Sequence, residues 1–156
     1  MTKKHLTIIA LCFFSIFVFS GAVKAQGEIT GLWKTVSDEG EDKGKAKSHV
    51  EIFEKDGAYF GKVNRLLLKP QDTLCTKCVG DLKDKPVVGM VIFQDMKKTG
   101  KIDDTLGVEF AGGTIMDPDN GKTYKCKIWV KGDVLTVRGF IGIPTLGRSQ
   151  QWYRVN

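Results

Sequence analysis

Hydrophobic and polar residues alternate with a period of two over much of the chain beyond residue 26, and turn residues break the alternation at short, even intervals. Side chains on a strand point alternately to its two faces, so this pattern predicts half-buried β-strands. Residues 31–37 form the first, followed by a charged, glycine-containing loop over 38–47. Residues 49–54 alternate and turn at Lys55-Asp56-Gly57 into a third strand at 58–68. Residues 69–86 are the longest irregular stretch, with two prolines, several charges and Cys75 and Cys78. Residues 87–96 are apolar, and their Val, Ile and Phe content favours strand over a short helix. Further strands are predicted at 108–116, 122–130, 134–141 and 148–155. They are separated by the turns Asp117-Pro118-Asp119-Asn120-Gly121 and Lys131-Gly132-Asp133 and by a loop over 142–147.

About eight strands joined mainly by hairpins, with no sustained helical period, define an all-β fold: a sandwich or an up-and-down barrel. The barrel is preferred because closure leaves no strand edge unpaired.

The N-terminus follows a different pattern. Lys3 and Lys4 precede an apolar run over 6–19, and Val23 and Ala25 form a small-residue cleavage site before Gln26. This is the layout of a secretory signal peptide over residues 1–25. The run is short for a membrane-spanning helix. Cys12 lies inside it rather than after it, which argues against a lipidated cysteine. A periplasmic or extracellular location is therefore expected for a single domain over 26–156, with no membrane span after cleavage.

Cleavage changes the charge. The whole chain has a net charge of +6; without Lys3, Lys4 and Lys24, 21 basic residues face 18 acidic ones, a net of +3. No basic stripe is interleaved with aromatics, so nucleic acid is not an expected partner. The basic stretch 43–47 reads as a solvated loop.

The cysteines remaining after cleavage are Cys75, Cys78 and Cys126, and an exported protein is free to form disulfides. Cys126 joined to Cys75 or Cys78 would clip the long loop to the sheet, worth on the order of 4 kcal/mol in the chain-entropy account. Cys75 joined to Cys78, with Cys126 buried and reduced, is the alternative; the sequence leaves both open. The C-x-x-C lacks the βαβ context and helix N-terminus of redox motifs. A zinc site would have to recruit His49 from a distant strand, and Asp117 and Asp119 begin a calcium-like loop that lacks its later ligands. No G-x-S-x-G occurs, and no carboxylate pair, Asp103 and Asp104 included, is set apart as catalytic. No cofactor, metal or enzymatic activity is expected.

Several motifs recur in an order that resembles a known family: Gly31-Leu-Trp33, Tyr59-Phe-Gly61-Lys62, Pro86-Val-Val-Gly89-Met90 and Gly112-Gly113-x-Ile115-x-Asp117-Pro118-x-x-Gly121-Lys122-x-Tyr124, then Val137-Arg138-Gly139-Phe140-x-Gly142 and Leu146-Gly147-Arg148-Ser149-Gln150-x-Trp152. Together they resemble the exported bacterial domain of unknown function 2147. The Cys75-Thr-Lys-Cys78 and Tyr124-Lys-Cys126 elements are similar to its Bacteroidetes-type branch. Phe110 stands where that resemblance leads one to expect Trp. The resemblance implies a lipocalin-like barrel and no established activity. In such barrels a G-x-W on the first strand is covered by a basic residue from the last, so Trp33 with Arg148 or Arg154 is the expected barrel-closing pair.

A barrel of this size is just wide enough to hold a small ligand or to be filled by its own side chains. The expected partner is a small lipid-like ligand, with Tyr59, Phe93, Phe110, Tyr124 and Trp129 as apolar contributors and Arg148 and Gln150 as polar anchors. Arg138 is expected to face outward, opposite Leu135, Val137 and Ile141. The alternative is a filled barrel serving a structural or envelope-interaction role.

Overall fold

The computed structural model describes residues 27–156; the predicted signal peptide lies outside them. Eight antiparallel strands follow one another around a closed barrel: β1 (Gly31–Val36), β2 (Ala46–Lys55), β3 (Ala58–Leu66), β4 (Val91–Asp103), β5 (Gly107–Asp117), β6 (Lys122–Lys131), β7 (Val134–Phe140) and β8 (Arg148–Arg154). Closure comes from β8 pairing back onto β1, with Trp33 opposite Arg154 and Thr35 opposite Trp152. The sandwich alternative is excluded by that last pairing.

Three predicted segments differ from the structure. Strand β2 begins at Ala46, inside the loop expected over 38–47, because its first residues pair with Val36 and Thr35 of β1. The strand expected at 87–96 begins only at Val91, because residues 87–90 turn toward β3. There Gly89 N donates to Val63 O at 2.7 Å, and Val63 N to Met90 O at 2.9 Å. It then runs on to Asp103, through Lys97, Lys98 and Lys101, all exposed. This extension buries no face and is held by its pairing with β5, so it shows no alternation to read. Ile141, expected inside, is 71% exposed. Strand β7 ends one residue earlier, and the chain turns away at Gly142, which takes φ of +75°.

The barrel has two unlike ends. The start of β1, the end of β8 and the β2–β3, β4–β5 and β6–β7 turns gather at one end, and the other four connections at the opposite end. Trp33, Phe93, Met96, Phe110, Ile128 and Leu135 are buried side chains of the core. Gly61 makes room for one of them: it pairs with Phe93, and a Cβ at Gly61 would lie 2.2 Å from the Phe93 ring. The large ring takes the space that a side chain on β3 would otherwise occupy.

Arg154 seals this end. Its guanidinium lies 4.1 Å from the centre of the Trp33 ring, while Nη1 and Nη2 donate to Thr30 O at 2.9 Å and Glu28 O at 2.6 Å. Trp33 Nε1 donates to Ile29 O at 2.8 Å. One planar cation thus stacks on the indole and also ties down the segment leading into β1.

Candidate functional site: a cavity at the open end

The opposite end of the barrel is hollow, with a cavity of about 470 Å³. Its wall has two characters. Val63, Leu66, Ile92, Ile115, Met116 and Val137 supply an aliphatic side from β3, β4, β5 and β7. Facing it, adjacent strands β8, β1 and β2 carry Trp152, Thr35 and Ser48 in one row, since Thr35 pairs with Trp152 on one side and Ser48 on the other. All three are buried. The Thr35 and Ser48 hydroxyls lie 2.8 Å apart, and Ser48 N donates to Thr35 Oγ1 at 3.1 Å. The Trp152 indole N–H has no acceptor among the described residues.

Ion pairs lace the rim. Arg148, at the start of β8, pairs with Asp38 and Glu39 on the β1–β2 connection, and Gln150 Nε2 donates to Asp38 Oδ1 at 2.8 Å. Burial opposes ionisation of Asp38, but the hydrogen bond and charge of Arg148 outweigh it and hold the carboxyl below its ordinary range. Asp119, in the β5–β6 turn, receives Lys47 at 2.5 Å and Lys69 at 2.7 Å. There too burial opposes ionisation, and the two ammonium groups lower the pKa overall.

The β3–β4 connection, residues 67–90, folds over the cavity as a lid. A disulfide joins Cys75 to Cys78, and Leu74 bridges to Pro86. The sulfurs rest on the β5–β6 turn, Cys75 Sγ 3.4 Å from Pro118 O and Cys78 Sγ 3.8 Å from Met116 Sδ. Gly121 is required beneath this lid. It takes φ of +72°, and a Cβ there would stand 1.9 Å from Lys77 O. Of the two disulfide readings, the local one is correct. Cys126 is a free, buried thiol whose pKa burial pushes up to about 12, so it stays protonated and unreactive near neutral pH.

The residues singled out in the sequence separate into three groups. Tyr124, Arg148 and Gln150 line the cavity. Tyr59, Phe93 and Phe110 do not; they fill the barrel interior, Tyr59 edge-on to Phe110 at 5.1 Å and Phe93 against Trp152 at 6.3 Å. Trp129 stands on the outer face, beside Lys127 at 5.8 Å, because Cys126, Ile128 and Val130 take the inward positions of β6. Arg148 lies at the open rim and has no part in covering Trp33, a place Arg154 takes alone. Arg138 faces outward and holds the β7–β8 loop, donating to Pro144 O at 2.6 Å, Thr145 O at 3.1 Å and Ser149 Oγ at 2.8 Å.

Thr35, Ser48 and Trp152 were missed as lining residues. Their signal was present: Thr35 follows Trp33 by two and Ser48 precedes Val50 by two, so both share an inward face with a large apolar residue. Among the described residues, no group of three or more His, Cys, Asp or Glu is placed to hold a metal ion.

A closed, eight-stranded, up-and-down barrel with one end sealed by a Trp–Arg stack is a lipocalin-like fold. A solved structure described as protein HP1028 from the human pathogen Helicobacter pylori, belonging to the lipocalin family, matches with a TM-score of 0.68 at 21% identity. The match covers 83% of this chain and 84% of that one. The chain itself belongs to domain of unknown function 2147, a family of uncharacterized proteins conserved in bacteria, whose profile spans residues 31–154. A comparison with curated proteins finds no match.

Proposed function

We propose that this protein is exported by its N-terminal leader and binds a small hydrophobic or amphipathic ligand in the open-end cavity, as a carrier rather than an enzyme. The cavity itself carries the reading. At about 470 Å³ it falls within the range of small-molecule sites, and an aliphatic wall beside a few polar groups is their usual chemistry. Burying an apolar ligand there gains roughly 25 cal/mol per Å² removed from water. The leader, Lys3-Lys4 followed by the apolar run and Val23-x-Ala25, supports a periplasmic or extracellular place of action.

A structural or envelope-interaction role is the second reading. It draws on Ile141, Ile143 and Leu146, which stand 71%, 58% and 79% exposed on the β7–β8 loop.

Gly139 separates the two. It lines the cavity, and a Cβ there would make only ordinary contacts, 3.5 Å from Ile115 and Tyr124. Gly139→Leu therefore starts from an accommodated Cβ and adds side-chain volume at the cavity wall. Titration of the processed protein with N-phenyl-1-naphthylamine should show saturable one-to-one binding. Binding should weaken at least about tenfold in Gly139→Leu while the unfolding free energy from urea denaturation stays within about 0.5 kcal/mol of wild type. Equal affinity in both proteins, or none in either, would remove the carrier reading in favour of the interaction role.

A further inference from the structure

The row formed by Trp152, Thr35 and Ser48 gives the cavity a directional chemistry. Trp152 is 2% exposed, lines the cavity, and has an indole N–H without an acceptor among the described residues. Indole can only donate, so any partner must be an acceptor. A buried donor left unpaired is unfavourable, and such groups commonly mark a place completed by another molecule. Beside it, the Thr35 and Ser48 hydroxyls share one close contact. With Thr35 Oγ1 donating to Ser48 O at 3.3 Å and Ser48 Oγ donating to Thr35, the pair satisfies its own hydrogens and leaves the Trp152 N–H as the unpaired donor of the row. The Trp152 N–H and the hydroxyl pair, carried by the successive strands β8, β1 and β2, thus stand opposite a wall of aliphatic side chains.

Among the cations of the rim, Arg148, Lys47 and Lys69 are already engaged with carboxylates, while Lys77, on the lid, is exposed and has no ion-pair partner among the described residues. Arg148 is held by Asp38 and Glu39, and Asp119 by Lys47 and Lys69. A ligand carboxylate would have to displace a paired carboxylate to reach Arg148. An anionic head group is thus left with the solvated Lys77 at the mouth, while the buried wall offers an uncharged acceptor the neutral donor of Trp152.

We propose that the cavity takes ligands bearing an uncharged oxygen acceptor, such as a ketone, ester or amide carbonyl, which receives the Trp152 N–H while the hydrocarbon part lies against the aliphatic wall. The proposal rests on the carrier reading above and adds the polarity and orientation of what is carried.

Three probes of matched length test it on the processed, delipidated protein: 2-nonanone, n-nonane and nonanoate. The ketone should bind about five- to tenfold more tightly than the alkane, the ratio expected for one added hydrogen bond, and more tightly than nonanoate. In ¹⁵N–¹H spectra, the Trp152 indole proton should move downfield with 2-nonanone, while those of Trp33 and Trp129 stay in place. Trp152→Phe should bring the ketone down to the affinity of the alkane. If that variant does not fold, the indole shift in the wild-type protein decides. Equal affinity for ketone and alkane with an unmoved Trp152 signal overturns the acceptor subsite and leaves the carrier reading intact. Tightest binding of nonanoate, abolished by Arg148→Gln or by Lys77→Gln, overturns it in favour of an anion site. Failure of all three probes to bind overturns the carrier reading as well.

Discussion

Arg154 shows how much one side chain contributes to this fold. Its guanidinium stacks on Trp33 and donates to two backbone carbonyls ahead of β1. A desolvated cation–π contact and two charged hydrogen bonds together imply a loss of roughly 2–4 kcal/mol for Arg154→Ala in urea denaturation. Arg154→Lys should recover only part of it, since a point charge cannot both stack and fork. Gly61 is the complementary case: Gly61→Ala drives a methyl into the Phe93 ring and should destabilise the barrel by roughly 1–3 kcal/mol, with Phe93→Leu in the same chain restoring some of the loss. These two sites differ in legibility. Gly31-x-Trp33 marked the sealed end directly, whereas nothing local to Gly61 revealed the ring opposite. Trp129 follows the simpler rule of strand parity: it lies between inward-facing Ile128 and Val130, so it points outward whatever its aromatic character.

At the scale of elements, the lid over 67–90 is the feature most open to experiment. Its disulfide closes a ring of very short sequence separation, so its worth is about 2 kcal/mol, well below the roughly 4 kcal/mol of a clip to β6. Reduction should therefore raise hydrogen exchange within 67–90 and leave the amides of β5–β7 protected; global loss of protection would contradict a local role. The lid is also held through Asp119, and the rim through Asp38, both with pKa values below the ordinary Asp range. A lowered folded-state pKa contributes stability that is present above the unfolded value and is lost as pH falls through the folded one. The melting temperature should thus drop from about pH 5 to about pH 3, and less steeply in the Asp38→Asn/Asp119→Asn double variant. Both carboxylates are part-exposed, so the difference will be modest and salt-sensitive. Apart from β4 and the first three residues of β2, the strands were legible to within two residues because each buries one face. The far half of β4 buries none, and the cysteine pairing depends on how the lid folds, so neither left a mark in the sequence.

The molecule as a whole is a barrel filled at one end and hollow at the other. Closure and strand number follow from alternation and turn chemistry, which the sequence displays. Hollowness does not follow, because it depends on side-chain volumes meeting across eight strands: Phe93 over Gly61 in the filled part, small Thr35 and Ser48 against aliphatics in the empty one. The lipocalin-like relation fixes the architecture and leaves the contents of the cavity to experiment. The most direct measurement is a native mass spectrum of the processed protein purified from its own host without delipidation. A single non-covalent adduct of small-molecule mass, lost in Gly139→Leu, is the expected result. A bare polypeptide mass in every charge state, unchanged after incubation with a total lipid extract, would contradict the account.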